Sequence, residues 1–473
     1  MTEIKSVKSA KSRLIKIIKG DSKMNLVYDV KDKPSFGKLI VFAFQQLLAI
    51  LAATIAVPAI VGNGMSQSAA LFGAGVGTIV YLLFTKFRSP VFLGSSFAFI
   101  SSMCAAFAGG VSMQLGYLGL LIGAAFAGLV YVIIAIIVKI AGVNWINKIM
   151  PAVVIGPTVS IIGLSLAGNA VKDAVGGSAG VALNDGGAYV MDAKGWICLI
   201  CAFVTLFTVV ICSVFGKKMA KLIPFIIGIV AGDIVATVFT LIGNSTGNEA
   251  MQIINFGLFD NMQWVPDFTF LKAIDGIGEI SGGYIATIAV AYVPVAFVVF
   301  AEHIADHKNL SSVIGKELLE EPGLHRTLLG DGVGSIVGAI FGGCPNTTYG
   351  ESVGCVAITG NASVVTILAT AILAIIASFV APFVTFLATI PACVMGGVCI
   401  TLYGFIAVSG LKMLQPVDLN DNGNLFVASA VLIAGIGGMA LQIGEVKLTS
   451  IACALILGII VNLVVNRKKA DKE

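Results

Sequence analysis

Apolar runs of about twenty residues, the length a helix needs to cross a hydrocarbon core, recur from Leu39 almost to the end of this 473-residue chain. No other feature constrains the fold as much. A chain that crosses a bilayer repeatedly must satisfy its backbone N–H and C=O groups internally, which leaves helices or closed barrels. The runs are too long for membrane strands, so the expected class is an all-α polytopic membrane protein. Composition agrees: 58% of residues are hydrophobic and only 11% charged, whereas soluble domains carry roughly 25% charged residues.

The first 38 residues are polar and basic and carry no small-residue cleavage site, so no removable signal peptide is expected. Within them "SAKSRLIKIIKG" puts Leu14, Ile17 and Ile18 on one helical face. That pattern fits a helix lying on an anionic leaflet or a solvated basic tail. The nine cysteines are scattered through apolar runs, Cys198 and Cys201 among them, and read as small buried hydrophobes. The net charge of +4 does not point to nucleic acid, because the basic residues follow the expected topology.

Hydropathy delimits fourteen spans. The first seven cover approximately 39–62, 68–85, 90–108, 115–138, 149–168, 196–215 and 222–243. The second seven cover 284–306, 326–342, 345–360, 361–386, 391–411, 424–442 and 447–466. An even number places both termini on one side. The tails and the loops on their side hold 25 of the 29 Lys and Arg residues. Only Lys172, Lys194, Lys272 and Lys447 fall opposite, which makes both termini cytoplasmic. The two longest loops, 169–195 and 244–283, lie outside.

Fourteen spans divide into seven plus seven, and an odd-numbered repeat must be inverted relative to its partner, a recurring transporter architecture. The third span, "SPVFLGSSFAFISSM", and the tenth, "CPNTTYGESVGCVAIT", share an oddity. Each opens with Pro, is crowded with Ser, Thr and Gly, and reads as a short broken element, part extended and part helix. Such elements expose backbone groups and are tolerated where they face protein or a polar cavity.

Glu351 follows Gly350 in the centre of the tenth span. Membrane-embedded acids are costly and usually functional. A carboxylate there can accept hydrogen bonds from ring N–H donors or bind a proton; the bland alternative is a packing contact with a neighbouring span. The second constellation is "VAFVVFAEHIADHKN", where Glu302 and Asp306 share one helical face and His303 and His307 the adjacent one. Three readings stand open: a substrate and proton site, a cluster of solvated charges at a helix end, and a metal site. The zincin order H-E-x-x-H is absent, since Ile304 stands where its Glu would be. Gln45 and Gln46 either reach the same cavity or bridge helices. Asp233 and Asp331 are single embedded acids with or without a structural partner, and Trp145, Trp196 and Trp264 read as interface anchors.

From "AEHIADHKN" to "GGCPNTTYGES", together with "FLGSSFAFIS" and "AATIAVP", the chain resembles the bacterial uracil permeases of the nucleobase–ascorbate transporter family (nucleobase–cation symporter-2). The resemblance covers nearly all of residues 38 to 466. It implies a core domain at 39–140 and 284–386 and a gate domain at 141–243 and 387–466. These are joined by an extracellular loop at 244–283 and flanked by cytoplasmic tails at 1–38 and 467–473. It also implies paired short strands in the third and tenth spans, proton-coupled uptake across the plasma membrane with no cofactor beyond H⁺, and a homodimer.

By the same resemblance Glu302 and Glu351 are the substrate-binding carboxylates, and Phe97 and Gly350 offer backbone amides to the pyrimidine. Ser96, Ala53 and Tyr349 line the pocket. Apart from the resemblance, Asp306 stands one turn beyond Glu302 on the same face, so Glu302 and Asp306 are expected to serve proton coupling together, with His307 as a secondary partner. Two departures stand out. Asp306 occupies a place where uracil permeases often carry His, with His307 adjacent, and Ser352 and Gly360 replace the family's usual Asn and basic residue. Purine-transporting relatives tend to carry Gln-Asn where this chain has Glu351-Ser352, so Glu351 favours uracil over xanthine or another nucleobase. A carboxyl removed from water can exchange a proton in the physiological range, so either Glu302 or Glu351 can link H⁺ to uracil. Hydropathy leaves Glu302 near the cytoplasmic end of its span; continuing that helix through Leu310 to Ile314 would draw it inward. A channel would need a lined pore or filter, and an anion carrier a cation at the site rather than two acids. No nucleophile–base arrangement suggests an enzyme.

Overall fold

The computed structural model describes residues 26–142, 151–217, 219–443 and 446–470. Among them eight helices are long and apolar enough to cross a membrane, or nine when one pair bent by 82° counts as a single crossing. The molecule is a mostly helical, multi-pass membrane protein.

In chain order the first half contains α1 (Phe36–Val61), α2 (Gln67–Phe84), β1 (Leu93–Ser95), α3 (Ile100–Ala106) and α4 (Met113–Ala141). It continues with α5 (Ala152–Ser165), α6 (Ala167–Ala174), α7 (Ala193–Phe215) and α8 (Pro224–Thr246). The second half contains α9 (Gly282–Ile314), α10 (Leu324–Gly342), β2 (Asn346–Thr348), α11 (Gly350–Thr359) and the bent pair α12 (Val364–Ser378) and α13 (Ala381–Thr389). It closes with α14 (Ala392–Leu414), α15 (Asn422–Ile436), β3 (Leu441–Ile443), β4 (Val446–Leu448) and α16 (Ser450–Ala470).

Local chemistry sets the helix ends. Ser112, Ser281 and Asp192 cap α4, α9 and α7 by accepting hydrogen bonds from Leu115, Tyr284 and Gly195 amides. Gly315 and Gly360 end α9 and α11 in the left-handed region, at φ 65° and 66°. Because α9 runs to Ile314, Glu302 and Asp306 sit well inside the helix rather than at its end, which resolves the hydropathy tension.

Two groups of helices pack side by side. In one, α2 and α4 pack on α10, α9 packs on α4, and α12 packs on α2 and α1; in the other, α5 and α7 flank α14, with α8, α15 and α16 around them. Small residues let α2 and α10 approach closely: a Cβ on Gly73 would collide with the Gly338 carbonyl, and one on Gly338 with the Asn346 side chain.

The two short strands lie at the centre of the first group and are fully buried. They pair antiparallel, Leu93 with Thr348, Gly94 with Thr347 and Ser95 with Asn346. Ser96 N–H to Pro345 O at 2.9 Å and Tyr349 N–H to Phe92 O at 3.2 Å extend the ladder. Side chains satisfy what the ladder leaves: Thr78 Oγ1 accepts the Leu93 amide, the Asn346 amide group donates to Gly73 O, and the Ser335 hydroxyl donates to Asn346 O.

Several elements differ from the sequence reading. The junction of the last two expected spans is a hairpin, β3 against β4, not a plain loop. The long loop 244–283 carries short helical turns. Residues ahead of α1 form a strap: Tyr28 bridges Asn361, Ala362 N–H donates to Tyr28 O at 2.9 Å, and Lys316 Nζ meets Asp29 at 2.7 Å. The Lys316 hydrogen bond holds the Asp29 carboxyl below the usual aspartate range, though an exposed pair of this kind adds little stability. The basic face at Leu14, Ile17 and Ile18, Trp145, and the end of the C-terminal tail lie outside the described residues, while Trp196 and Trp264 are exposed.

Replacing Gly338 with Ala should push Asn346 off Gly73 and loosen the strand pair. Overpacking of this kind costs about 1–3 kcal/mol, so the purified Gly338→Ala protein should melt several degrees lower; an unchanged melting temperature would show that the α2–α10 contact yields freely.

Candidate functional site

The sequence places one polar element on each side of the strand pair, and the fold turns both toward the same space. The 3₁₀ turn Phe97–Phe99 that leads into α3 starts two residues after β1, and α11 likewise starts two residues after β2. The first-turn amides of a helix have no partner within it, and the helix dipole makes that end favourable for electron-rich groups. Two such starts therefore border one cavity. Gly350 is open on it: a Cβ there would meet only Asp306 Oδ1, at 3.9 Å.

The cavity has a volume of about 370 Å³, and a smaller pocket of about 70 Å³ continues it toward the strands. Both are lined by Phe97, Glu302, Gly350 and Glu351. Glu302 and Asp306, one turn apart on α9, form the acidic wall, with Glu351 projecting from the first turn of α11. The Thr348 hydroxyl donates to Asp306 Oδ2 at 2.8 Å, tying that wall to β2. Opposite stand apolar side chains from the second helix group: Val159 of α5, Phe225 of α8, and Leu402 and Ile406 of α14. Phe97 reaches across to Tyr403 in an edge-on ring contact, with centroids 6.2 Å apart. The space thus lies between the two groups, polar on one side and greasy on the other.

A family model described as a permease family (Xan_ur_permease) matches residues 37–444. The chain belongs to this permease family. Over 441 residues the permease is 39% identical to the uracil permease of Bacillus caldolyticus, covering 93% of this chain and 94% of that one. Over 457 residues it is 37% identical to the uracil permease of Bacillus subtilis, covering 95% and 98%. Among solved structures it shares its fold with the transmembrane domain of the cyanobacterial bicarbonate transporter BicA, at 15% identity and a TM-score of 0.60, covering 91% of this chain and 96% of that one. The murine Solute Carrier 26 family member A9 anion transporter matches at 12% identity and a TM-score of 0.63, covering 93% and 69%.

Of the residues singled out in the permease sequence, Glu302, Asp306, Glu351, Phe97 and Gly350 meet at the cavity, and Ser96 and Tyr349 line its deeper end. The Tyr349 hydroxyl is turned away and donates to Ser95 O at 2.8 Å. Ala53 is buried in α1 and lines neither part. His307 does not face the cavity either. Its side chain leaves the far side of α9, buried, with Nε2 2.7 Å from the Tyr81 hydroxyl and Nδ1 donating to His303 O at 2.8 Å. The reading of this cluster as solvated charges is overturned for the same reason, since His303 and His307 are each 1% exposed and their rings stack at 4.1 Å. Among the described residues no group of three or more ligating side chains is arranged for a metal.

Gln46 and Ser352 turn out to belong to the scaffold. The Gln46 amide donates to Ser352 Oγ at 2.6 Å, and that oxygen also accepts the Phe92 amide at 3.0 Å. Gln45 bonds instead to Met219. Asp331 has a structural partner in His303, 2.7 Å away. The apolar wall had no legible signal, because Val159, Leu402 and Ile406 are ordinary residues of apolar helices.

Ser352→Ala should leave the Phe92 amide without its acceptor in a buried place and reduce Gln46 to its long bond with the Ser352 carbonyl. An unsatisfied buried group costs about 1–3 kcal/mol, so thermal unfolding should shift down while Ser352→Thr largely restores it. Equal melting of wild type and Ser352→Ala would remove Ser352 from the strand scaffold.

Proposed function

We propose that this permease imports uracil across the plasma membrane by proton symport. The observation that carries the reading is three carboxylates and two helix starts lining one cavity. Uracil presents two ring N–H donors and two carbonyl acceptors. Glu302 and Glu351 accept from the ring N–H groups, and backbone amides at Phe97 and Gly350 donate to the carbonyls. Ser96 and Tyr349 shape the inner end, and the Val159–Ile406 wall covers the ring.

In this reading the helix group around α10 and the strands is the core domain, built from 39–140 and 284–386, and the group around α14 is the gate domain, built from 141–243 and 387–466. The chain counts fourteen spans in two inverted sets of seven, with both termini cytoplasmic. The antiparallel pairing of β1 with β2 supports the inversion, since equivalent elements of inverted repeats run in opposite directions. Rocking of the core against the gate then exposes the site alternately to the two sides. The chain works as a homodimer through its apolar outer surface.

The shared fold with anion transporters raises an anion-carrier reading, since helix starts favour anions. The three acids at the cavity disfavour it: an anion would need a cation beside it, and the wall offers none among the residues lining the cavity. Direct binding of uracil, xanthine and bicarbonate to the purified protein separates these readings, with saturable binding expected for uracil alone.

Glu351→Gln should lower uracil affinity roughly tenfold or more, the equivalent of about 1.5–3 kcal/mol for a charge-assisted hydrogen bond. Full-affinity binding by that variant would make Glu351 a packing residue. In liposomes, uracil accumulation should follow an imposed pH gradient with or without sodium; accumulation that follows sodium and ignores pH would sink the proton reading. Because Glu302 and Asp306 stand one turn apart and titrate as a unit, Asp306→Asn should shift and flatten the pH profile of uptake. An unchanged profile at normal expression would leave Asp306 outside the coupling.

A further inference from the structure

Behind Glu302, on the side away from the cavity, the core carries polar groups that substrate binding does not use. Asp331 of α10 is completely buried and bonds His303 Nδ1 through Oδ2 at 2.7 Å, while its other oxygen, Oδ1, has no hydrogen-bond partner among the described residues. The Tyr131 hydroxyl on α4 is also completely buried and also unpartnered. Their helices meet there: the Cβ and ring edge of Tyr131 pack on Gly332, the chain neighbour of Asp331, where α4 and α10 cross closely enough that a Cβ at Gly332 would press on Tyr131. Glu302 is the chain neighbour of His303 on α9, so the partner of Asp331 and the cavity acid are adjacent residues. Buried polar atoms are almost always satisfied by protein or ordered water, so two on facing helices mark a shared ligand rather than two separate faults.

The hydrogen bonds also fix where protons sit. The Thr327 hydroxyl donates to Leu324 O at 3.0 Å, so its oxygen accepts from His303 Nε2–H at 2.9 Å. With Nε2 carrying a proton, the His303–Asp331 bond holds one more, shared between Nδ1 and Oδ2. Oδ1 remains the open acceptor of the pair.

We propose that Tyr131 and Asp331 form an internal site for a single water molecule behind the substrate cavity, and that this water relays the proton of Glu302 to the His303–Asp331 pair. The proposal rests on the proton-coupled reading for its second half. In the step, the Glu302 O–H bond breaks and its proton joins the water oxygen, while a water O–H bond breaks and its proton joins Asp331 Oδ1. The water is regenerated, Glu302 becomes a carboxylate, and the pair gains one positive charge. Glu302 and Asp306 of α9 and Glu351 of α11 face this charge from the cavity side, and His307 with Tyr81 from behind α9. The three cavity acids favour the proton's arrival electrostatically.

Tyr131→Phe tests the site with one atom removed. A hydroxyl with no partner is a burden, so its loss would leave thermal stability unchanged or raised; a hydroxyl holding a bridging water loses a bond, and the variant should melt lower. Uptake driven by a pH gradient should fall by up to about tenfold, as expected for one lost hydrogen bond in the relay. Uracil affinity and uracil counterflow, which need no net proton movement, should stay at wild-type levels. A melting temperature equal to or above wild type overturns the water site. Wild-type gradient-driven uptake in Tyr131→Phe overturns the relay. If wild-type protein itself follows sodium rather than pH, the relay falls together with proton coupling, while the melting comparison still decides the site.

Discussion

Two three-residue strands, Leu93–Ser95 and Asn346–Thr348, exchange backbone hydrogen bonds in the interior of a membrane protein, and most of the polar chemistry of this chain serves that contact. Unpaired amides and carbonyls cost several kcal/mol in an apolar surrounding. The ladder therefore has to be complete, and residues from four other segments complete it. Thr78, Ser335 and the Gln46–Ser352 couple reach the strand pair or the residue before it, while Asn346 of β2 reaches out to Gly73. Small residues on α2 and α10 provide the space, since the strands fit only where two helices can nearly touch.

The strand pair in turn positions the site. Each strand leads within two residues into a helical start, so two helical starts from distant parts of the chain border one space. The carboxylates reach the same space by separate routes: Glu351 rides on α11 itself, whereas Glu302 and Asp306 come from α9 and are tied in by Thr348. Donors and acceptors are thereby presented by the same rigid group of helices, and the apolar wall comes from the other. Movement between the two groups would change access to a ligand without disturbing the groups that recognise it.

Asp306 and His307 show how one helical position divides two roles. A shift of one residue along α9 is a rotation of about 100°, enough to carry a side chain from the cavity to the packed interior. Asp306 faces Gly350 and Thr348, while His307 stacks on His303 and bonds Tyr81. Asp306 thus contributes to the chemistry of the cavity, and the neighbouring His307 does not.

Much was legible in the residues alone. Apolar runs declared a multi-pass membrane protein, because nothing else buries so much hydrocarbon in so long a chain. Glu351 and Glu302 marked a site, because an acid in such surroundings is too costly to be idle. Pro, Ser, Thr and Gly in two segments marked broken elements, because those residues weaken a continuous membrane helix. What the sequence left open were directions and partners. Whether Gln46 reached the cavity or a neighbouring helix, whether His307 met substrate or Tyr81, and whether Asp331 stood alone all depend on which helices become neighbours, and residues such as Gln46 and Ser352 lie 306 positions apart in the chain. The apolar wall of Val159 and Ile406 was silent for a further reason: an apolar side chain looks the same in sequence whether it faces lipid, a packed helix or a ligand. Hydrophobicity is a local property and fixes the class of fold; a binding face is a relation between distant segments, and only tertiary packing creates it.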